Sequence, residues 1–162
     1  MNDKTERIAE IFLDERNVIR RRPEVEHERR VAIFDLLENN CFSPIKTQDN
    51  NTTGPYNLYL GIEDNRLHFD IRSTNDIEIA LEALPISSFR RIVKDYFMIC
   101  ESYNQAIKTL PPSQIEAIDM GRRGLHNEGA EILQERLVGK IQLDKDTARR
   151  LFTLICVLHI KA

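Results

Sequence analysis

A hairpin pattern in the middle of the chain is the feature that most constrains its fold. Apolar residues alternate with others at residues 56–60 and again at 67–72, and the polar residues 63–66 lie between the two runs. Alternation with a period of two places apolar side chains on one face of a strand, and two such runs around a short polar turn predict a β-hairpin. Residues 77–84 alternate in part and predict a third strand, with a helical turn as the alternative. The pattern therefore predicts a small antiparallel sheet.

Residues 23–38 predict a helix with one apolar side. Pro23 suits the first turn, where a missing N–H costs nothing. Glutamates follow in the early turns, where the helix macrodipole favours negative charge. The apolar stripe at helical spacing consists of Val25, Ala32, Ile33, Leu36 and Leu37.

Two further helices are predicted on either side of a pair of prolines. The first covers residues 85–108, with Ser87 or Ser88 as its cap. We expect it to be the central helix, because it is apolar over much of its circumference. The two prolines then break the chain, and Ser113 is expected to cap the next helix.

Three glycines interrupt the apolar stripe of that next helix: Gly121, Gly124 and Gly129. Each costs about 1 kcal/mol relative to alanine in a helix interior. They therefore suggest close packing, a bend, or something that approaches the backbone. A last helix is predicted from a cap at Asp144 or Asp146 to about residue 159.

Together these elements predict one α+β domain over residues 1–162, with a small, mostly antiparallel sheet covered by about four helices. Periodicity alone does not separate strand from helix at residues 7–13, and we favour a strand there. We expect this segment and a short strand at residues 140–143 to join the edges of the sheet. Residues 48–54 predict a polar loop.

The charge balance and the cysteines limit the classes of function. The chain has 23 basic and 26 acidic residues and a net charge of −3, which argues against a nucleic-acid binder that relies on overall basicity. The chain has three cysteines, an odd number that does not suggest a disulfide framework, and Cys100 and Cys156 lie in apolar runs. We interpret these two as small buried hydrophobes in a reducing compartment. No secretory signal and no apolar run of membrane-spanning length is visible, so we expect a cytoplasmic protein.

Familiar catalytic and cofactor motifs are missing from the sequence. It contains no Walker A loop, no G-x-G-x-x-G, no C-x-x-C and no G-x-S-x-G. We therefore predict no cofactor and no metal site, and leave the question of catalytic activity open.

An acidic residue, two spacers and two arginines recur three times, beginning at Glu26, Asp119 and Asp146. In a helix, an acid four residues before an arginine lies on the same face in the favourable order. The planar fork of arginine also suits carboxylates and phosphates of a ligand. The pattern therefore indicates either internal acid–arginine pairs or an anion site, and the spacing favours the pairs.

The first candidate site lies in the third predicted helix. Asp119, Arg122, Arg123 and His126 share one polar face there, opposite the apolar stripe. Two guanidiniums, a carboxylate and an imidazole in this arrangement are suited to binding an anion, with His126 as a proton donor. The same segment continues with Asn127 and Glu128. The alternative is a solvated face with an ordinary Asp119–Arg123 pair.

Two other segments are weaker candidates. The basic run at residues 20–22, with His27 and Arg29, is either a strip for a phosphate or acidic partner or a salt-bridged helix start. His27 lacks the two-histidine spacing of a zinc helix. In the helix at 85–108, Arg90 and Lys94 either line a pocket with Tyr103 or belong to a face that is paired internally, as Arg91 with Asp95.

Five blocks of the sequence resemble a small bacterial protein family that is known only as uncharacterised. The blocks are Arg-Arg-Pro-Glu-Val-Glu-His-Glu-Arg at residues 21–29, Phe-Arg-Arg-Ile-Val-Lys-Asp-Tyr-Phe at 89–97, Ile-Cys-Glu-Ser-Tyr at 99–103, Asp-Met-Gly-Arg-Arg-Gly-Leu-His-Asn-Glu-Gly at 119–129 and Ala-Arg-Arg-Leu-Phe-Thr-Leu-Ile-Cys at 148–156. The resemblance covers nearly the whole chain and implies a single-domain cytoplasmic bacterial protein. It brings no activity, cofactor or catalytic residue, but it gives residues 122–128 priority over the loop at 48–54.

Three hypotheses of function follow. The first is a non-enzymatic binding or regulatory module for a protein partner, which predicts an exposed apolar or arginine- and tyrosine-rich patch. The second is binding or turnover of a small phosphorylated or carboxylated ligand at Arg122, Arg123 and His126, helped by Arg90, Lys94 or Arg29, which predicts that these side chains converge on a concave pocket. The third is nucleic-acid binding through the arginine clusters, which the net charge of −3 disfavours.

Overall fold

The computed structural model describes residues 5–16, 22–45 and 53–159. The elements of these ranges are β1 (Ile8–Leu13), α1 (Pro23–Glu38), β2 (Phe42–Pro44), β3 (Tyr56–Glu63), β4 (Arg66–Ser73), β5 (Glu78–Pro85), α2 (Arg90–Thr109), α3 (Pro112–Arg136), β6 (Ile141–Leu143) and α4 (Lys145–Leu158). The predicted α+β class is confirmed. Arg20, Arg21 and most of the predicted loop at residues 48–54 lie outside the described residues.

The predicted hairpin is formed by β3 and β4, which pair antiparallel along their whole length. Asp64 and Asn65 make the two-residue turn, with φ of 54° and 61°. Asparagine and aspartate tolerate this left-handed conformation, and two such residues fit the twist of the flanking strands. β5 pairs antiparallel with β4, so the third predicted strand is also confirmed.

The two segments expected at the sheet edges have different outcomes. β1 lies at one edge, parallel to β3, as expected for residues 7–13. The prediction that residues 140–143 join this sheet is wrong, because β6 pairs instead with the three-residue strand β2. Gly139, with a φ of 79°, turns the chain after α3 and brings Ile141 opposite Pro44. So short a strand as β2 has no periodicity to detect, and only the pairing reveals it.

The central helix is α4. All residues from Leu151 to Leu158 are buried, none more than 8% exposed, and the helix packs against α1 and α3. The prediction that residues 85–108 form the central helix is wrong. Because charged residues alternate with its apolar ones, α2 keeps one side in water, and Met98 is 60% exposed.

The helix boundaries follow the predicted start signals in two of four cases. α1 occupies the predicted range, with Pro23 in its first turn. The backbone N–H of Thr147 donates to the carboxylate of Asp144 at 3.0 Å, so Asp144, the first of the two proposed caps, begins α4.

The predicted serine caps are wrong. Ser87 and Ser88 belong to a 3-10 turn that precedes α2, and α2 begins after Phe89 without a side-chain cap. α3 begins after Pro111, with Pro112 in its first turn, so Ser113 already lies inside the helix. The second proline replaces the cap, because it has no N–H to satisfy.

Asn40 fastens the end of α1 to β1. Its side-chain oxygen accepts a hydrogen bond from the N–H of Ile8 at 2.7 Å, and its amide nitrogen donates to the carbonyls of Ile8 and Leu36 at 3.0 and 2.7 Å. Arg7 adds a hydrogen bond to the carbonyl of Leu37 at 2.9 Å. Asn40 is only 8% exposed, and buried polar groups of this kind need such partners. These bonds fix the position of α1 relative to the sheet.

Close packing explains two of the three glycines in α3. A methyl group on Gly129 would lie 2.6 Å from three ring carbons of Phe152 in α4. On Gly121 it would meet the terminal carbon of Ile99 at 2.7 Å, which a flexible side chain can relieve. At Gly124 nothing lies within 4 Å. Gly129 is therefore the position where the distance between α3 and α4 depends on glycine.

We predict that Gly129→Ala destabilises the protein and that Gly124→Ala does not. The added methyl at position 129 overpacks the buried ring of Phe152, which typically costs about 1–3 kcal/mol. At position 124 the same change gains helix propensity, worth up to about 1 kcal/mol. Urea unfolding of both variants measures the difference. Equal effects at the two positions would contradict the packing of α3 on α4 described above.

Candidate functional site

Four helices surround a groove with a volume of about 790 Å³, a size typical of ligand-binding pockets. α1 contributes one whole side, from Pro23 to Asp35, which is about 18 Å of helix at 1.5 Å per residue. The side chains from the other helices that matter below are Tyr96, Tyr103, Arg122, His126, Asp146, Arg149, Arg150 and Thr153.

Aromatic rings pack together beneath the middle of the groove. The ring of His126 lies 4.8 Å from that of Tyr96, centroid to centroid, and 6.4 Å from that of Phe152. Tyr96 and Phe152 are fully buried, and they contact each other edge to face at 5.8 Å. The imidazole is therefore held against an apolar floor by residues of α2 and α4.

The hydrogen bond of His126 fixes its tautomer. Its Nε2 lies 3.1 Å from the hydroxyl of Thr153, and that hydroxyl donates its single proton to the carbonyl of Arg149 at 3.2 Å. Nε2 therefore carries the ring proton and donates, which leaves Nδ1 as an acceptor. Burial, together with the charges of Arg122 and Arg149, lowers the pKa of His126 to about 4. The ring is neutral at pH 7.

Arg122 is held by two carboxylates and a ring. Its Nη2 donates to Asp119 at 2.7 Å and its Nη1 donates to Glu28 at 3.3 Å. Glu28 also accepts a hydrogen bond from the hydroxyl of Tyr96 at 3.1 Å, and the guanidinium lies 4.8 Å from the ring centroid of Tyr103. The hydrogen bonds from Arg122, together with its charge, lower the pKa of Asp119. The charge of Arg122 is thus balanced within the protein.

Arg149 is less well satisfied than Arg122. Its Nε is buried and has no hydrogen-bond partner among the described residues. Its closest acid, Asp146, is 3.9 Å away and 69% exposed. Arg150, its neighbour on α4, donates to the backbone carbonyl of Asn39 at 2.8 Å. Both arginines lie in the first two turns of α4, where they reach the groove.

The structure brings together some of the residues predicted as a site and separates others. Arg122, His126 and His27 line the same groove, from α3 and α1. Arg123 lies outside it, 69% exposed and 3.0 Å from Asp119. Glu128 pairs with Arg91 at 2.9 Å.

The remaining candidates also lie away from the groove. Arg29 pairs with Glu15 at 2.6 Å. Arg90 and Lys94 are exposed on α2 and do not line the groove, and Asn127 does not line it either. These residues are separated because α1, α2 and α3 each turn only one face toward the groove.

The recurring acid–arginine pattern forms ion pairs in all three helices. The pair common to the three is the i,i+3 pair with the first arginine: Glu26–Arg29, Asp119–Arg122 and Asp146–Arg149, at 3.6, 2.7 and 3.9 Å. In the second copy Arg123 also pairs with Asp119 at i,i+4. Internal pairs therefore form in all three copies, but mainly at i,i+3, and among the described residues the i,i+4 pair that the sequence favoured forms only in the second copy.

Sequence reasoning missed several residues of the groove as site residues, among them Glu28, Asp35, Asp146, Arg149 and Arg150. A signal for the arginines was present, because they stand immediately before the apolar run of α4 and Thr153 interrupts that run. Polar residues on an otherwise buried helix have to meet a partner, water or a ligand. The glutamate gave no signal, since it lies among many other charges of α1.

Cys100 and Cys156 are thiols whose pKa values are raised by burial. All three cysteines are free, and Cys156 is buried. The pKa of Cys100 is raised to about 11. Both are protonated at neutral pH, in agreement with their interpretation as small hydrophobes. In the part of the chain that the structure describes, no three histidine, cysteine or acidic side chains come together as a metal site.

The outer face of the sheet carries a second set of exposed side chains. Phe12 stacks on Tyr59 at 4.6 Å, and the guanidinium of Arg72 lies 4.5 Å from the centroid of the same tyrosine ring. Ile77 and Leu81 are 65% and 66% exposed. This is a patch of the kind that the partner-binding hypothesis predicts.

No helix within residues 5–16, 22–45 and 53–159 is both long enough and apolar enough to cross a membrane.

The family model of the uncharacterised protein family UPF0262 matches residues 5–161. The chain belongs to this family. A UPF0262 protein of Paramagnetospirillum magneticum is 60% identical over 156 residues, which cover 96% of this chain and 97% of the relative. One from Rhodospirillum rubrum is 59% identical over 157 residues, or 97% and 94% of the two chains. One from Bradyrhizobium sp. is 54% identical over 160 residues, or 99% and 94%.

Membership confirms the resemblance to an uncharacterised bacterial family, and it assigns no activity. No solved structure shows significant similarity to the chain.

We predict that His126 titrates near pH 4, because protonation would place a charge on a buried ring between Arg122 and Arg149. The unfolded chain takes up this proton near the ordinary pKa of 6.5. Between these values the unfolded state binds more protons, so the free energy of unfolding falls as the pH falls from about 6.5 to 4, by roughly 3 kcal/mol in total.

The test is histidine NMR titration combined with urea unfolding across this pH range. His126→Gln keeps a donor for Thr153 and removes the titrating ring, so it should flatten the pH dependence between 6.5 and 4. Above pH 6.5 the difference between wild type and variant should be constant. A His126 resonance that titrates near 6.5 would show that the ring is solvated rather than buried.

Proposed function

We propose that this protein is a binding module whose four-helix groove takes a small ligand that carries a carboxylate or a phosphate. The single observation that carries the proposal is the state of Arg149. Its Nε is buried at the wall of the groove with no hydrogen-bond partner among the described residues. A buried donor left unpaired costs about 1–3 kcal/mol. The Arg149 side chain as a whole is 37% exposed and has only the 3.9 Å contact with Asp146, so the open end of its guanidinium can bind an oxyanion in the groove through charge-assisted hydrogen bonds.

The form of the groove supports this proposal. Its apolar floor of Tyr96 and its neutral His126 carry few polar groups, while guanidiniums stand at the wall. Ligand pockets typically combine apolar surface with a small number of placed polar groups. Arg122 also lines the groove, but its charge is already balanced because it forms ion pairs with Asp119 and Glu28.

The chemistry of the lining favours binding over turnover. The hydroxyl of Thr153 donates its proton to the backbone of its own helix, so His126 is not placed to activate it as a base. Cys100 lies outside the groove lining, and the pKa of its thiol is raised to about 11. Neither group has the features of an activated nucleophile.

Partner binding through the outer face of the sheet is the alternative, and the exposed Phe12 and Leu81 favour it. The charged and hydroxyl groups beside Tyr59 on that face are already paired, however, although the buried side-chain oxygen of Asn57 has no hydrogen-bond partner among the described residues. Arg72 pairs with Asp70 at 2.8 Å, and the hydroxyl of Tyr59 donates to Asp76 at 2.8 Å. The groove is preferred because its Arg149 has only a 3.9 Å contact with an acid, whereas Arg72 on the sheet face is closely paired.

We predict that a ligand panel raises the melting temperature of the wild type and that Arg149→Ala loses this effect. The panel contains nucleotides, sugar phosphates, simple carboxylates and amino acids. A ligand at about one hundred times its Kd adds roughly 2.7 kcal/mol, or roughly 5–10 °C for a domain of this size. Arg149 has only a 3.9 Å contact with Asp146, so the variant should fold normally.

Arg136→Ala is the matched control, since Arg136 is an exposed arginine in the last turn of α3 and does not line the groove. It should respond to the ligand like the wild type. If no member of the panel stabilises the wild type, or if a stabilising ligand acts equally on Arg149→Ala, the proposed function is wrong.

A further inference from the structure

The charges that line the groove are not those of a site built for a phosphate. Arg122 and Glu28 offset each other at 3.3 Å. The charges that remain are Arg149 and Arg150 against Glu24, Asp35 and Asp146. Two positive and three negative groups leave a net charge of −1, with imidazoles counted as neutral. A dianion that approached Arg149 would therefore also approach an excess of carboxylates.

Opposite charges lie side by side at one end of the groove. Arg149 and Arg150 follow Asp146 on the first two turns of α4. Arg150 donates to the carbonyl of Asn39, one helical turn beyond Asp35, which places Asp35 at this same end. The carboxylate of Asp35 has no ion-pair partner among the described residues. A cationic group and an anionic group of a ligand can both be satisfied here.

We infer that the ligand is a zwitterion of the α-amino-acid class, whose carboxylate binds Arg149 and whose ammonium binds Asp35 and Asp146. This inference rests on the proposed function, because it names the ligand class for the same groove. A guanidinium fork suits one carboxylate in a bidentate geometry. An adjacent ammonium brings the positive charge that the two aspartates require, whereas a phosphate brings none.

The rest of the groove favours a basic amino acid over an acidic one. From the charged end it runs past Val31 and the ring of Tyr96 toward Glu24, Tyr103 and Asn104. Glu24 lines the groove here and has no ion-pair partner among the described residues. A long side chain with an apolar stem and a cationic tip matches that sequence of surfaces. It also matches the net charge of −1, since a basic amino acid has a net charge of +1.

Calorimetric titration with four probes tests the inference: L-lysine, Nα-acetyl-L-lysine, L-lysinamide and glycerol 3-phosphate. The acetylated probe lacks the α-ammonium and the amide probe lacks the carboxylate. We expect L-lysine to bind at least tenfold more tightly than either derivative, and more tightly than the phosphate. L-arginine and L-glutamate are further probes, and we expect L-arginine to bind more tightly than L-glutamate.

Two isosteric variants separate the role of Asp35 from general loss of structure. Asp35→Asn removes the charge that holds the ammonium, so L-lysine should bind at least tenfold more weakly, while Nα-acetyl-L-lysine should bind as it does to the wild type. Glu131→Gln, at an exposed position of α3 outside the groove, should change neither. Unchanged binding of the acetylated probe also shows that Asp35→Asn is folded.

The outcomes distinguish the inference from the proposed function. If the phosphate or the acetylated probe binds Arg149-dependently and L-lysine does not bind more tightly, the zwitterion is wrong and the anion-binding groove stands. If Asp35→Asn leaves the affinity for L-lysine unchanged, the assignment of the ammonium is wrong. If neither these probes nor the ligand panel binds, both the inference and the proposed function fail.

Discussion

The burial of α4 is the constraint on which the rest of the structure depends. Its residues Leu151–Leu158 are shielded from water on all sides, and at about 25 cal/mol per Å² of apolar area their burial is a main source of stability. A helix that is apolar all round has to be covered all round. α1 and α3 therefore pack against it, and Gly129 lets α3 approach the ring of Phe152. This packing sets the position of three of the four helices that enclose the groove.

The groove exists because the beginning of α4 has a different character from its end. Arg149, Arg150 and Thr153 carry polar groups toward α1, and an apolar helix face closed over them would leave these groups unpaired at a cost of several kcal/mol. Where these turns approach the end of α1, the contacts are polar: Arg150 donates to the carbonyl of Asn39, and the N–H of Cys41 donates to the hydroxyl of Thr147. The hydrogen bonds of Asn40 hold the same end of α1 to β1.

Internal ion pairs decide which of the many charges are available to a ligand. Most of the clustered arginines that the structure describes form ion pairs with acidic residues of the protein, as Arg29 does with Glu15 and Arg122 does with Asp119. Surface pairs of this kind contribute little to stability. They nevertheless leave the paired charges unavailable to a ligand. What remains is a small set at one end of the groove, where Arg149 and Asp35 are not fully satisfied. The proposed ligand class follows from this remainder rather than from the total charge.

The sequence by itself determined the elements that rest on local physics. Period-two alternation and an Asp-Asn turn specify the β3–β4 hairpin, and Pro23 followed by glutamates specifies the start of α1, because strand sidedness, turn conformation and helix termini are properties of a few neighbouring residues. It also specified that Arg122 and His126 lie one turn apart. Only the tertiary structure decided that β6 pairs with β2, that α4 and not α2 is central, and that Arg149, His27 and Asp35 line one groove. The first two facts depend on which apolar surfaces become buried in competition with one another. The third depends on charged residues that lie more than one hundred positions apart in the chain. A local sequence pattern contains neither kind of information.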